Sequence, residues 1–146
     1  MNENCFLTNY NVNLFTAYVP VLNYLGTMPE FHDELKRYDL KVDGKIPDQA
    51  KEVLVYVFVT THGDGNFQRG YYEMFTHQGG TEFTQFMNVA TGQGVMAVNS
   101  ANLWFPVGDG KLDLKLFHSS DRKRSIAGKR EDDNEWSGVF VIGYRV

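Results

Sequence analysis

The chain has 146 residues and a formal net charge of −4 at pH 7. This length predicts one domain, with N-terminal strands and a loop over residues 1–45 and a main sandwich over residues 46–146. The acidic balance argues against nucleic-acid or anionic-membrane partners, and no stretch approaches the ~20 apolar residues of a membrane span. Aromatic residues form 14% of the chain and charged residues 22%, which favours a folded, strand-rich domain.

The N-terminus and the cysteine content restrict the chemistry further. Residues 1–5 carry neither a basic region nor a long apolar stretch, so no signal peptide is predicted. An extracellular location is expected only if the chain is a mature secreted domain. Cys5 is the single cysteine, which excludes an intrachain disulfide and a cysteine metal cluster. A free thiol is the simplest interpretation, and an intermolecular disulfide is the alternative.

Strand patterns recur at short spacing along the chain, with turn residues between them. The first covers residues 12–19 and is closed by Pro20. Residues 29–37 favour one or two helical turns, because Pro29 stands at the first position and acids follow early. Residues 38–42 alternate as a strand.

The later strands are predicted at residues 53–62, 68–76, 81–89, 95–98, 101–105, 111–116 and 136–146. Gly-rich turns separate most of them, and no long helix, repeat or interdomain linker interrupts the series. This pattern predicts an all-β, antiparallel two-sheet sandwich of jelly-roll type with about nine or ten strands.

Residues 53–59 form the most informative strand, because it lacks a polar face. Valine occupies every second position, and Leu54, Tyr56 and Phe58 occupy the positions between. An antiparallel sandwich usually leaves one face of each strand in water, so a strand that is apolar on both faces requires a cover. Residues 139–142 share this property. We therefore predict that Tyr56, Phe58 and Phe140 take part in assembly with another copy of the chain.

The C-terminal strand carries a family resemblance. Residues 136–142 read Trp-Ser-Gly followed by four apolar residues. This pattern resembles the closing strand of complement-type globular heads, which belong to the tumour-necrosis-factor-like jelly-roll superfamily. The resemblance implies a jelly roll that packs as a trimer around aromatic central strands. The family's mid-chain Phe-x-x-Pro-x-x-Gly-x-Tyr-x-Phe pattern is absent from this chain.

The loop over residues 62–67 is the predicted ligand site. Asp64 and Asn66 offer oxygen atoms of the kind that calcium prefers, and the flanking glycines allow close approach of the backbone. The same residues also suit an ordinary turn. Trp104 is a third candidate, since an exposed tryptophan stacks on sugar rings, whereas a core position is the alternative. Together these residues suggest a glycan-binding lectin, with calcium as the one cofactor considered.

No catalytic pattern is recognisable, so an enzyme is not expected. The four histidines lack the paired spacing of a histidine metal site, and no nucleophile elbow or phosphate-binding glycine loop occurs. Residues 121–135 hold five positive and five negative side chains, which favours a self-paired loop over a polyanion site.

Three functional hypotheses follow from these patterns. The leading one is a non-catalytic, self-associating module, a homotrimer, for extracellular binding or structural assembly. The second is the lectin. The third is a carrier of an apolar ligand such as a pigment or lipid, which the aromatic excess suggests.

Overall fold

The computed structural model describes residues 17–29, 35–41, 44–62, 69–90, 96–118 and 137–146. Within these ranges the chain forms eight strands: β1 (Tyr18–Gly26), β2 (Lys36–Asp39), β3 (Glu52–His62), β4 (Arg69–Gln78), β5 (Thr81–Ala90), β6 (Met96–Pro106), β7 (Lys111–His118) and β8 (Ser137–Arg145). They build two four-stranded sheets. Sheet one has the order β1-β8-β3-β6, and sheet two has the order β2-β7-β4-β5. The prediction of an all-β chain with two antiparallel sheets is confirmed.

The strand pairs are nested in the sequence. The first strand pairs with the eighth, the second with the seventh, the third with the sixth and the fourth with the fifth, all antiparallel. Two further antiparallel pairs, β3 with β8 and β4 with β7, join these ribbons into sheets. Successive ribbons therefore alternate between the two sheets.

The core lies between the inner faces of the two sheets. Val53, Val55 and Val57 of β3 are fully buried, as the alternation predicts, and they meet a layer that includes Leu112 and Leu114 of β7. Each fully buried valine or leucine side chain contributes roughly 1.5–3 kcal/mol. Apolar residues at every second position thus hold the two sheets together.

Strand β1 differs from its prediction. Pro20 was expected to close the first strand, but it lies inside β1, which continues to Gly26. Proline is tolerated because β1 is an edge strand and because its register against β8 shifts between Pro20 and Asn23. Residues 12–16 of the predicted strand lie outside the described residues.

Two other elements also differ from expectation. Residues 95–98 and 101–105 were predicted as separate strands, yet β6 runs without interruption from Met96 to Pro106 against the whole length of β3. Pairing with β3 continues through Asn99 and Ser100, the two polar residues between the predicted strands. Lys36 and Arg37, expected in a helical turn, belong to β2. In the described ranges no helix is long and apolar enough to cross a membrane.

Candidate functional site

The outer face of sheet one carries a cluster of aromatic rings. Tyr24 of β1, Phe140 of β8 and Tyr56 of β3 are consecutive partners across three strands. The Tyr24 and Phe140 ring centroids are 5.1 Å apart, and those of Tyr56 and Phe140 are 6.2 Å apart. Phe58 lies 6.4 Å from Phe140 with an interplanar angle of 18°. We call these four residues the aromatic face.

Gly138 allows the rings of the aromatic face to lie low on the sheet. It is the β8 partner of Phe58. A Cβ atom at position 138 would come within 2.6 Å of the Phe140 ring and 2.7 Å of the Phe58 ring. Real Cβ atoms do not approach other heavy atoms so closely, so any larger residue would lift the rings. The glycine of the Trp-Ser-Gly pattern therefore helps to produce a flat aromatic surface.

Apolar side chains in and around the aromatic face are exposed to solvent. Leu22 is 73% exposed, Val98 is 69% exposed, Met96 is 56% exposed and Tyr24 is 48% exposed. Tyr56 and Phe58 are half-buried, because neighbouring rings cover them only in part. Contiguous exposed apolar surface on a sheet commonly marks an interaction site.

A closed cluster occupies one end of the same sheet. The Arg145 guanidinium lies 4.0 Å from the centre of the Trp104 ring and forms an ion pair with Glu52 at 3.2 Å. Tyr18 meets the edge of Trp104 at a centroid distance of 6.0 Å and donates a hydrogen bond to the Ile142 carbonyl at 2.8 Å. Trp104 is half-buried, and one of its ring faces is already occupied by a cation.

Of the three predicted ligand residues, the described part of the chain includes Trp104 alone. Asp64 and Asn66 lie outside the described residues, and so does the loop over residues 121–135. Trp104 is paired with Leu54, eight residues along β3 from His62, where the described part of that strand ends. At about 3.3 Å per residue this separation is roughly 26 Å. Trp104 is therefore remote from the strand end that leads into residues 63–68.

The outer face of sheet two is mixed: Phe86 is 56% exposed with its ring 5.7 Å from that of Tyr71, and a row of charged side chains lies beside them. Arg37 of β2 lies 2.9 Å from Asp113 of β7 in an ion pair that lacks hydrogen-bond alignment. His77 of β4 lies 3.7 Å from Asp113 and 3.5 Å from Glu82 of β5. One side chain from each strand thus forms a row across the sheet. Among the described residues, no group of three His, Cys, Asp or Glu side chains is placed to hold a metal ion.

Tyr38 has a clearly perturbed pKa. Burial raises the pKa of its phenol well above the usual range, and the neighbouring Tyr24 adds to that rise. The Tyr38 hydroxyl donates a hydrogen bond to the Thr27 carbonyl, which also accepts one from Lys36 Nζ at 2.8 Å. These bonds fix the short strand β2 to the chain that leaves β1.

The sequence pattern does not mark Leu22 and Tyr24 as functional residues, because Pro20 predicts the end of the strand before them. The signal was present, since residues 18–24 place Tyr18, Leu22 and Tyr24 on one side of an alternating pattern. Asn23, between them, is buried. An edge strand with an internal proline is thus readable as a strand when its alternation continues beyond the proline.

Comparison of the chain with protein-family models and with curated protein sequences finds no match. Its function is therefore inferred from the geometry of the described residues.

Proposed function

We propose that this protein is a non-catalytic β-sandwich module that assembles with copies of itself through the outer face of sheet one. The observation that carries the proposal is the contrast between the two outer faces. Sheet one presents the aromatic face with exposed Leu22 and Val98 beside it, whereas sheet two combines exposed Phe86 with the charged row of Arg37, Asp113, His77 and Glu82.

The nested strand pairs support the finer proposal that the sandwich is a jelly roll. Pairs of the first with the eighth strand and of the second with the seventh are those of a long hairpin rolled into two sheets. A ninth or tenth strand would have to come from outside the described residues. The jelly roll agrees with the resemblance to complement-type heads, which also supplies the proposed trimeric stoichiometry and the extracellular setting.

The size of the face suits a second copy as its occupant. Four strands about 4.8 Å apart and eleven residues about 3.3 Å apart cover roughly 700 Å². A standard protein interface buries about 800 Å² on each partner. Homo-oligomers bury surfaces richer in apolar area than other interfaces, which is the composition of this face.

Sedimentation velocity on charged variants tests the proposal. The wild-type chain is expected to sediment as a multiple of its 16.7 kDa mass. Leu22→Glu and Val98→Glu place a charge on the face at positions exposed in the single chain, so folding is little affected while assembly is lost. Phe86→Glu is the matched control, because Phe86 is 56% exposed and belongs to sheet two.

Circular dichroism verifies that each variant keeps its strand content. A monomeric wild-type chain at micromolar concentration would refute self-association. Dissociation by Phe86→Glu, with Leu22→Glu and Val98→Glu still assembled, would show that sheet two forms the contact and would refute the proposed face. The lectin and apolar-carrier hypotheses remain predictions.

A further inference from the structure

Strand β6 forms one edge of sheet one. It pairs with β3 along all eleven of its residues without a register shift, and no described residue pairs with its other side. Every second residue of an edge strand turns its N–H and C=O groups away from the neighbouring strand, where they can bind another strand. We propose that β6 pairs edge to edge, in antiparallel orientation, with β6 of a second copy of the chain.

The other three edge strands carry features that discourage further pairing. Strand β1 contains Pro20, and its register against β8 shifts at two points. Strand β2 has four residues, of which three are charged. Strand β5 carries Glu82, and the backbone of its last residue, Ala90, is bonded to the Asn99 side chain. Strand β6 has no charged residue and its one proline stands at the last position, so it lacks the prolines, bulges and charges that protect sheet edges.

The side chains of β6 leave this edge open. Ser100 and Asn102 are small, exposed residues near the middle of the strand. The Trp104 ring leans back over the sheet, because it contacts Tyr18 of β1, the strand at the opposite edge, and the guanidinium of Arg145 on β8. A second strand can therefore approach the β6 backbone without displacing a large side chain.

A second copy suits this edge because the pairing is self-complementary. A two-fold axis perpendicular to the sheet keeps both outer faces on the same side and places one residue opposite its own copy. All residues of Met96–Pro106 pair only when that residue is Ala101, the midpoint of the strand. Val98 then faces Trp104 of the second copy, a β-branched and aromatic pair that stabilises sheets, and no charges meet. The two four-stranded sheets join into one continuous sheet.

This contact differs from the proposed assembly through the outer face of sheet one, because backbone groups at one edge form it. Ala101 packs against the core on the inner side of β6, where a contact through the outer face does not reach it. The outer face stays uncovered in the edge pair, so the two contacts can coexist.

Disulfide cross-linking of the full chain tests the pairing. In a Cys5→Ser background, Ala101→Cys places two thiols at directly opposite positions, where Cα atoms lie about 4.5–5.5 Å apart and a disulfide fits. Ala97→Cys is the matched control, because Ala97 is also half-buried on β6 but would pair with Phe105 of the second copy. The two copies of position 97 then lie roughly 26 Å apart. Under mild oxidation, Ala101→Cys should give a disulfide-linked dimer in at least about tenfold higher yield than Ala97→Cys.

Charged variants of the Ala101→Cys chain test the same register. Ser100 and Asn102 face each other across the two-fold axis, so Ser100→Lys combined with Asn102→Lys should lower the dimer yield at least about tenfold through like-charge repulsion. Mixing this chain with one that carries Ser100→Glu and Asn102→Glu should restore the dimer, because opposite charges then meet. Thr84→Lys combined with Asn88→Lys, on edge strand β5, is the matched control and should leave the yield unchanged.

Leu22→Glu separates this inference from the proposed function, because Leu22 lies on β1 at the opposite edge of sheet one. It should abolish assembly through the outer face and leave cross-linking at position 101 unchanged, so failure of either proposal is seen separately. Absence of a dimer at position 101, equal yields at positions 97 and 101, or a yield that lysines at positions 100 and 102 do not lower would overturn the inference.

Discussion

Gly143→Ala tests whether the Tyr18 ring packs directly against the β8 backbone on the outer face of sheet one. Gly143 lies beneath the Tyr18 ring, and a Cβ atom at this position would overlap Tyr18 Cε2 and Cζ. Gly143 does not have a positive φ, so alanine meets no backbone strain there. The effect of the substitution therefore isolates the steric contact with Tyr18.

The magnitude follows from the contacts that Tyr18 would lose. Its hydrogen bond to the Ile142 carbonyl contributes about 0.5–1.5 kcal/mol, and its edge contact with Trp104 contributes a similar ~0.5–1.5 kcal/mol. Replacing glycine by alanine at a compatible position returns about 0.4–1 kcal/mol through the unfolded chain. Tyr18 is 45% exposed and can swing into solvent, so the net cost should be about 1–2 kcal/mol.

Thermal and urea unfolding of a double-mutant cycle measure this effect. Gly143→Ala alone should lower the Tm by about 3–8 °C. In the Tyr18→Ala background the overlap is gone, and Gly143→Ala should stabilise the chain by about 0.4–1 kcal/mol. The coupling free energy should thus reach about 1.5–3 kcal/mol. An equal cost of Gly143→Ala in both backgrounds would refute the packing of Tyr18 on Gly143.

Two further predictions concern the interior. Burial raises the Tyr38 pKa above its unfolded value of about 10, so the unfolded chain loses the phenol proton first as the pH rises. The free energy of unfolding should therefore fall above about pH 10. Tyr38→Phe should flatten that fall in urea titrations, and an unchanged pH profile would contradict the prediction. Asn99→Ala removes the bonds to Ala90 and should cost about 2–3 kcal/mol of unfolding free energy. Asn99→Asp keeps the acceptor for the Ala90 amide but turns a carboxylate oxygen toward the Ala90 carbonyl, so at neutral pH it should cost at least as much; a clearly smaller cost by chemical denaturation would contradict this account.

The local patterns of the sequence determined the all-β class, most of the strands and which residues of a strand share a face. The alternation over residues 53–59 placed the valines on one face and Tyr56 and Phe58 on the other, because side chains on a strand point to opposite faces at a fixed period of two, and the structure buries the valines. The same reasoning identified Phe140 as part of an apolar outer surface. These inferences needed no knowledge of which strands are neighbours.

The tertiary structure decided which surfaces those residues share. Tyr24 joins Phe140 because β1 pairs with β8 from the other end of the chain, a contact that no local pattern specifies. The link between the sheets arises in the same way, since Asn99 of β6 in sheet one accepts a hydrogen bond from the Ala90 amide of β5 in sheet two. Alternation depends on the chirality and geometry of one strand, whereas pairing depends on the free energy of the whole assembled core. The sequence by itself therefore determined which side chains share a face of a strand, and the nested pairing of strands decided which face is buried and what lies beside each residue.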